Sequence, residues 1–188
     1  MITKYLKFLY SILERIGQKN TKQILFITNT DENKSVNKSH NILQIISVRC
    51  CTKEDINTFF EGDKKLRFRE DLDQGHVMIG GFIKKDLVAY AWLNYQKIYI
   101  NKIEKWIDFK EGYIWKGSTK EKKPHKGIKL EMLRHALKIA KDEGKKDIYA
   151  LTDVSNIPTQ RALESIGFKK QQIIAYSKFF NIQEQITK

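Results

Sequence analysis

Hydrophobic positions along this chain alternate between a period near 3.6 and a period near 2, and the changes of period divide it into elements. Ile2, Tyr5, Leu6, Leu9, Leu13 and Ile16 fall at helical spacing ahead of Gly17, which predicts an amphipathic helix within residues 1–20. Its apolar stripe suits its own domain, a partner helix or a membrane surface. "KQILFITN" (22–29) and "ILQIISVRC" (42–50) read as strands separated by a polar turn or loop at 30–41. Thr52 with Asp55 three residues on resembles a capping box, opening a short helix that carries Ile56, Phe59 and Phe60. A second helix is expected over 64–72. "HVMIGGFIK" (76–84) and "DLVAYAWLNYQKIYI" (86–100) read as two strands joined by a tight turn at Lys85, with a loop at 101–112 and a further strand, "YIWKGST", at 113–119.

After Gly127 a long helix is plain, with Leu130, Leu133, Leu137 and Ala140 on one stripe widened by Met132, Ala136 and Ile139, and Gly144 as its stop. "DIYALTDV" (147–154) is a strand. Asn156 suits a helix N-cap and Pro158 its first turn, the helix runs over 159–166, and Gly167 suits the C′ position. "FKKQQIIAYSKFF" (168–180) supplies the last strand or strand pair. The order of elements predicts an α/β (α+β) protein, a mixed sheet with helices on its faces. At 188 residues the chain is expected to hold one domain, 21–188, behind the N-terminal helix of 1–20.

Charge sharpens this picture. The formal net charge is +13; residues 1–94 carry 15 basic and 11 acidic side chains, residues 95–188 carry 20 and 11. The excess in the second half implies an anionic partner: a phosphorylated cofactor, a nucleic acid or an anionic membrane surface. No apolar run reaches about 18 residues, so no transmembrane segment is expected. The lysine-interrupted N-terminus does not read as a secretory signal. Cys50 and Cys51 are adjacent, which makes a poor disulfide and too small a thiol set for a metal cage. One of them is expected to be buried as a small hydrophobe, no metal is expected, and a reducing cytoplasm fits.

The stretch "KEKKPHKGIK" (120–129) lies between a strand and the long helix. A helix start leaves unpaired backbone N–H groups and partial positive charge, and glycine allows close approach, so a strand, basic loop and helix in series suit a phosphate. A solvated lysine loop has the same composition. The stretch lacks the G-x-x-x-x-G-K-[ST] and G-x-G-x-x-G patterns, which excludes a Walker loop and argues against a dinucleotide fold.

From about Tyr90 to Phe168 the chain resembles the GNAT superfamily of acyl-CoA-dependent N-acetyltransferases. "STKEKKPHKGIKLEMLRHAL" takes the place of that family's R-x-x-G-x-G/A loop and long helix. "DIYALTDVSNIPTQRALESIGF" takes the place of its next strand, Asn and short helix ending in Gly-Phe, with Asn156 eleven residues before Gly167. "HVMIGGFIKKDLVAYAWLNY" looks like its central hairpin. The resemblance implies a mostly antiparallel sheet with two splayed central strands, and acetyl-CoA as acyl donor. It places the backbone of His125, Lys126, Gly127, Ile128 and Lys129 on the pyrophosphate, and the pantetheine arm in a gap between the strand ending at Thr119 and the strand 148–152. Asn156 would bond that arm or help place the acceptor; as a plain helix cap it would need neither role.

The chain departs from the pattern. Pro124 stands at the motif's Arg position and Lys129 at its second small residue. Leu163 stands where many members carry a Tyr acid. The strand before the loop holds no carboxylate, and Glu104, Asp108, Glu111 and His76 are the nearby alternatives, with Glu111 and Asn156 the candidates kept for catalysis. The resemblance implies an enzyme moving an acetyl group to a primary amine, such as an amino sugar or amino acid. The other readings are a transferase acting on aminoacyl-tRNA or a protein amine, and a silent acyl-CoA-binding module. A homodimer is open.

Overall fold

The computed structural model describes residues 21–31, 46–100, 105–109, 111–119, 127–176 and 183–186. The expected N-terminal helix and most of the basic loop, including His125 and Lys126, lie outside the described residues. The described elements are β1 (Thr21–Asn29), β2 (Ile46–Cys50), α1 (Lys53–Phe59), α2 (Gly62–Asp73), β3 (Val77–Ile83), β4 (Asp86–Asn94), β5 (Ile98–Ile100), β6 (Lys105–Ile107), β7 (Tyr113–Thr119), α3 (Ile128–Asp142), β8 (Asp147–Asp153), α4 (Ile157–Ser165), β9 (Lys169–Tyr176) and β10 (Gln183–Ile186).

Local chemistry explains most boundaries. Thr52 and Asp55 form the reciprocal capping box that opens α1. Gly127, at φ 95°, turns the chain into α3. Asn156 Oδ1 accepts the Thr159 N–H at 3.3 Å at the start of α4, and Gly167, at φ 93°, ends it. Two expectations fail. The apolar run 86–100 is not one strand: Asn94 Oδ1 accepts the Gln96 N–H at 2.6 Å, a local turn that outcompetes the ladder and separates β4 from β5. Part of the expected loop at 101–112 is strand β6, which pairs with β5 through Ile98↔Ile107, Tyr99↔Trp106 and Ile100↔Lys105.

Eight of the described strands form one sheet in the order β10-β9-β1-β8-β7-β4-β3-β2. All its neighbours are antiparallel except β7 and β8. β1 sits inside the sheet, between β8 and β9, as its near-continuous apolar run suits a strand covered on both faces. Under one face lie α3 and α4, where Met132, Leu133, Ala136 and Ala140 meet Phe26, Ala91, Ile148 and Ala150. Over the other lie α1 and α2, with Ile56, Phe60 and Phe68 against Tyr90 and Trp92. The β5–β6 hairpin covers that face nearer β1 and β8, with Ile98 beside Leu25, Tyr113 and Ile174. Cys51 is buried with the α1–α2 cluster, its thiol pushed up to about 12 by desolvation, while Cys50 is exposed.

Arg49 holds α1 to β2 through a two-armed pair with Asp55, at 2.6 and 2.7 Å. The guanidinium, with the Thr52 amide, keeps the Asp55 carboxyl at about 2. A depressed carboxyl contributes stability above its unfolded pKa and loses it as pH falls through the folded value. Arg49 is half exposed, so solvent screening trims the contribution to about 1 kcal/mol. Asp55→Asn is expected to cost that much at pH 7 and to flatten the loss of stability between roughly pH 4 and pH 2, read by urea titrations across that range.

Candidate active site

The site begins with a failure of pairing. β7 and β8 run parallel and are in register at Tyr113↔Tyr149 and Ile114↔Ala150, with the Tyr149 N–H on the Gly112 carbonyl at 2.9 Å. Beyond those residues they part. β8 continues along β1 to Gln23↔Asp153, and β7 continues along β4 to Ala89↔Thr119. Between Trp92↔Trp115 and Tyr90↔Ser118 two residues of β7, Lys116 and Gly117, oppose the single Ala91, a bulge that bends β7. Each strand past the fork therefore has a sheet neighbour on one side only, and turns backbone donors and acceptors toward the gap.

A cavity of about 510 Å³ fills the fork and reaches both faces of the sheet. Toward the helices it is lined by Met132, Leu133 and Leu163; toward the hairpin, by Tyr113, Trp115 and Ile100. Gly117 and Ser118 of β7 and Thr152 and Asp153 of β8 line its sides.

α3 begins at the helix-side mouth. Gly127, as the N-cap, has no side chain to give the first-turn amides, and among the described residues none is recorded as capping them. The helix is seated by Gly81: a Cβ there would stand 2.7 Å from Ile128 and 3.0 Å from Met132. Lys129 answers the question its place in the loop raised. Its side chain lines the cavity and reaches across to α4, where Nζ donates to Thr159 Oγ1 at 2.7 Å. Desolvation lowers its pKa, and no carboxylate among the described residues contributes to the shift.

Of the residues expected at the site, Lys129 and Asn156 line the cavity, Gly127 and Ile128 open the helix at its mouth, and Thr119 ends the free stretch of β7. Asn156 is a helix cap and lines the cavity at once. Glu111 lies at the other end of β7, where Oε2 accepts the Lys146 N–H at 2.7 Å and this bond lowers its pKa; it is not among the cavity-lining residues. Asp153 was not singled out in the sequence. Among the described residues it is the carboxylate that lines the cavity, and the strand alternation of "DIYALTD" placed it with Leu151 opposite the helices, though nothing local linked it to Gln23, 130 residues away.

No family model matches the chain, and no curated protein matches it in sequence. Solved structures match its fold. An acetyltransferase of the GNAT family from Colwellia psychrerythraea superposes with a TM-score of 0.58 at 14% identity, over 84% of this chain and 56% of that one. The GCN5-related glucosamine N-acetyltransferase region of a fungal multi-domain β-N-acetylglucosaminidase gives 0.61 at 13% identity, over 91% of this chain and 22% of that one. A candidate acetyltransferase from Salmonella typhimurium, solved with its cofactor acetyl-CoA, gives 0.55 at 14% identity, over 77% of this chain and 91% of that one. The chain thus spans about half the length of the Colwellia protein and a smaller share of the fungal one. The chain has the fold of the GNAT acetyltransferases, a mixed and mostly antiparallel sheet with helices on both faces.

Two substitutions test how the site is held. A lysine desolvated without a carboxylate costs stability, so Lys129→Met, which keeps the alkyl stem, is expected to raise stability by about 0.5–2 kcal/mol in a denaturant titration. Gly81→Ala forces the start of α3 off β3 and is expected to cost about 1–3 kcal/mol in the same measurement.

Proposed function

We propose that this protein is an acetyl-CoA-dependent N-acetyltransferase that acts on the primary amine of a small molecule. The observation that carries this reading is the fork between β7 and β8, which leaves a cavity open to both faces of the sheet beside the start of α3. The residues present fit acetyl-CoA: a helix start without a side-chain cap for a diphosphate, unpaired strand edges for an amide-bearing arm, and an apolar wall of Met132, Leu133 and Leu163. When bound, acetyl-CoA would supply an acyl group already activated as a thioester.

The chain's own part is positioning and electrostatics. Backbone N–H groups of Gly127, Ile128 and Lys129 would face the diphosphate, with His125 and Lys126 of the basic loop preceding them in the chain. The Lys129 ammonium adds positive charge beside the helix start and, through Thr159, links α3 to α4 across the cavity. β7 from Trp115 to Thr119 offers backbone groups to the arm and to the carbonyl oxygen that gains charge during transfer. Asn156 closes the α4 side. An acceptor entering from the hairpin face meets the acyl group at the fork, because the cavity joins the two faces there.

A second reading, a silent acyl-CoA-binding module, draws on Leu163. It is 2% exposed and stands where many GNAT enzymes carry a proton-donating Tyr. Release of free thiol from acetyl-CoA across a panel of amines separates the two: turnover with any amine supports the transferase, and tight binding with no turnover supports the module.

Binding itself is tested by thermal shift. A ligand held only by the native state adds about 2.7 kcal/mol at 100 times its Kd. Gly127→Asn and Gly127→Asp both tolerate the left-handed backbone, but only the second sets a negative charge at the helix start. The acetyl-CoA shift is expected to survive in the Asn variant and to vanish in the Asp variant. Equal shifts in both would move the diphosphate site away from α3.

A further inference from the structure

Two hydroxyls that line the cavity, those of Tyr90 on β4 and Ser118 on β7, make no hydrogen bond among the described residues. The two residues are direct partners in register, so their side chains leave the same face of the sheet with Cβ atoms about 5 Å apart. That face is the one covered by α1, α2 and the hairpin, because Tyr90 packs with Ile56, Phe60 and Phe68. Tyr90 is 6% exposed, and its oxygen is not among the buried polar atoms that lack a partner, so it reaches open volume.

Three contacts fix the Tyr90 ring. Phe60 and Phe68 meet it edge to face with centroids 5.5 and 5.4 Å away, and the Lys64 ammonium stands 5.1 Å from its centroid. The hydroxyl is left as the free end of a rigid arm. Ser118 follows the bulge at Lys116–Gly117, on the stretch of β7 that has left β8. The pair stands beside the fork, on the face from which the acceptor would enter.

Transfer to an amine moves one proton from nitrogen to sulfur, and a positioned acid and base speed that movement. Leu163 has no proton to give. Glu111 is not among the cavity-lining residues, and the Asp153 carboxylate accepts hydrogen bonds from Gln23 and from the N–H and O–H of Ser155.

We infer that Tyr90 and Ser118 carry this proton, with Tyr90 the group that meets the departing sulfur. The inference rests on the acetyltransferase reading. Ser118 Oγ takes a proton from the nitrogen once the C–N bond has formed. The proton that Ser118 held passes to the Tyr90 oxygen, and Tyr90 gives its own to the sulfur as the C–S bond breaks. Both hydroxyls end as they began, and no further reactant is used. An amine that arrives as an ammonium first releases one proton to solvent.

Tyr90→Phe keeps the ring and its contacts and removes only the hydroxyl. Isothermal titration with CoA and with desulfo-CoA reads the meeting with sulfur without turnover. The parent is expected to bind CoA about threefold or more tighter than desulfo-CoA, and Tyr90→Phe to bind the two alike. With glucosamine, phenylalanine and 2-phenylethylamine as acceptors, Tyr90→Phe is expected to lower kcat about 100-fold and to leave both KM values near those of the parent. Ser118→Ala should lower kcat by less. A kcat that Tyr90→Phe leaves unchanged overturns the inference, as does a preference for CoA over desulfo-CoA that survives the substitution. A parent that binds acetyl-CoA and transfers to none of the three amines removes the transferase reading instead, and the CoA titration then decides alone whether Tyr90 meets the sulfur.

Discussion

The parting of two parallel strands governs everything else in this molecule. β7 and β8 share two paired residues and then separate, each keeping its antiparallel partner on the outer side. A fork inside a sheet is costly on its own terms, because backbone N–H and C=O groups that a continuous ladder would satisfy are left to solvent or to a ligand. The bulge at Lys116–Gly117 supplies the bend on one side. The seven-residue register of β8 with β1 keeps the other side straight. The opening is built into the pairing of the sheet and needs no moving part.

Around the fork, small contacts hold the pieces in place. Gly81 lets Ile128 and Met132 press against β3, which sets where the long helix starts. Lys129 ties that start to Thr159 on the short helix. Buried Gln160 secures the turn after β8 by donating to the Val154 carbonyl at 2.7 Å. A helix start, a strand end and a second helix start therefore converge at one mouth. The Lys129 tie is held at the cost of a desolvated ammonium.

The cavity also has a polarity that the net charge of +13 does not convey. Its one lining cation is at the helix face and its one lining anion at the hairpin face, among the described residues. The β5–β6 hairpin is what makes the second chamber apolar, since Ile100 belongs to it and Trp115 packs beneath it.

Much of this was legible along the chain. The long amphipathic helix after Gly127, the strand "YIWKGST", the capping box at Thr52 and the cap at Asn156 follow from periodicity and from bonds closed within a few residues, and such signals survive without knowledge of the fold. The spacing of Asn156 and Gly167 pointed to the right fold. The break at Asn94 was written locally too, yet the apolar run "DLVAYAWLNYQKIYI" concealed it, because an Asx turn needs only one side chain and leaves the hydrophobic pattern intact. What tertiary structure alone decided is non-local: the insertion of β1 between β8 and β9, the two-residue limit on the pairing of β7 with β8, the reach of Lys129 to Thr159, and the meeting of Gln23 with Asp153. Strand order and register depend on which segments compete for the same backbone edge, and that competition is settled by the burial of whole faces. No window of sequence contains it.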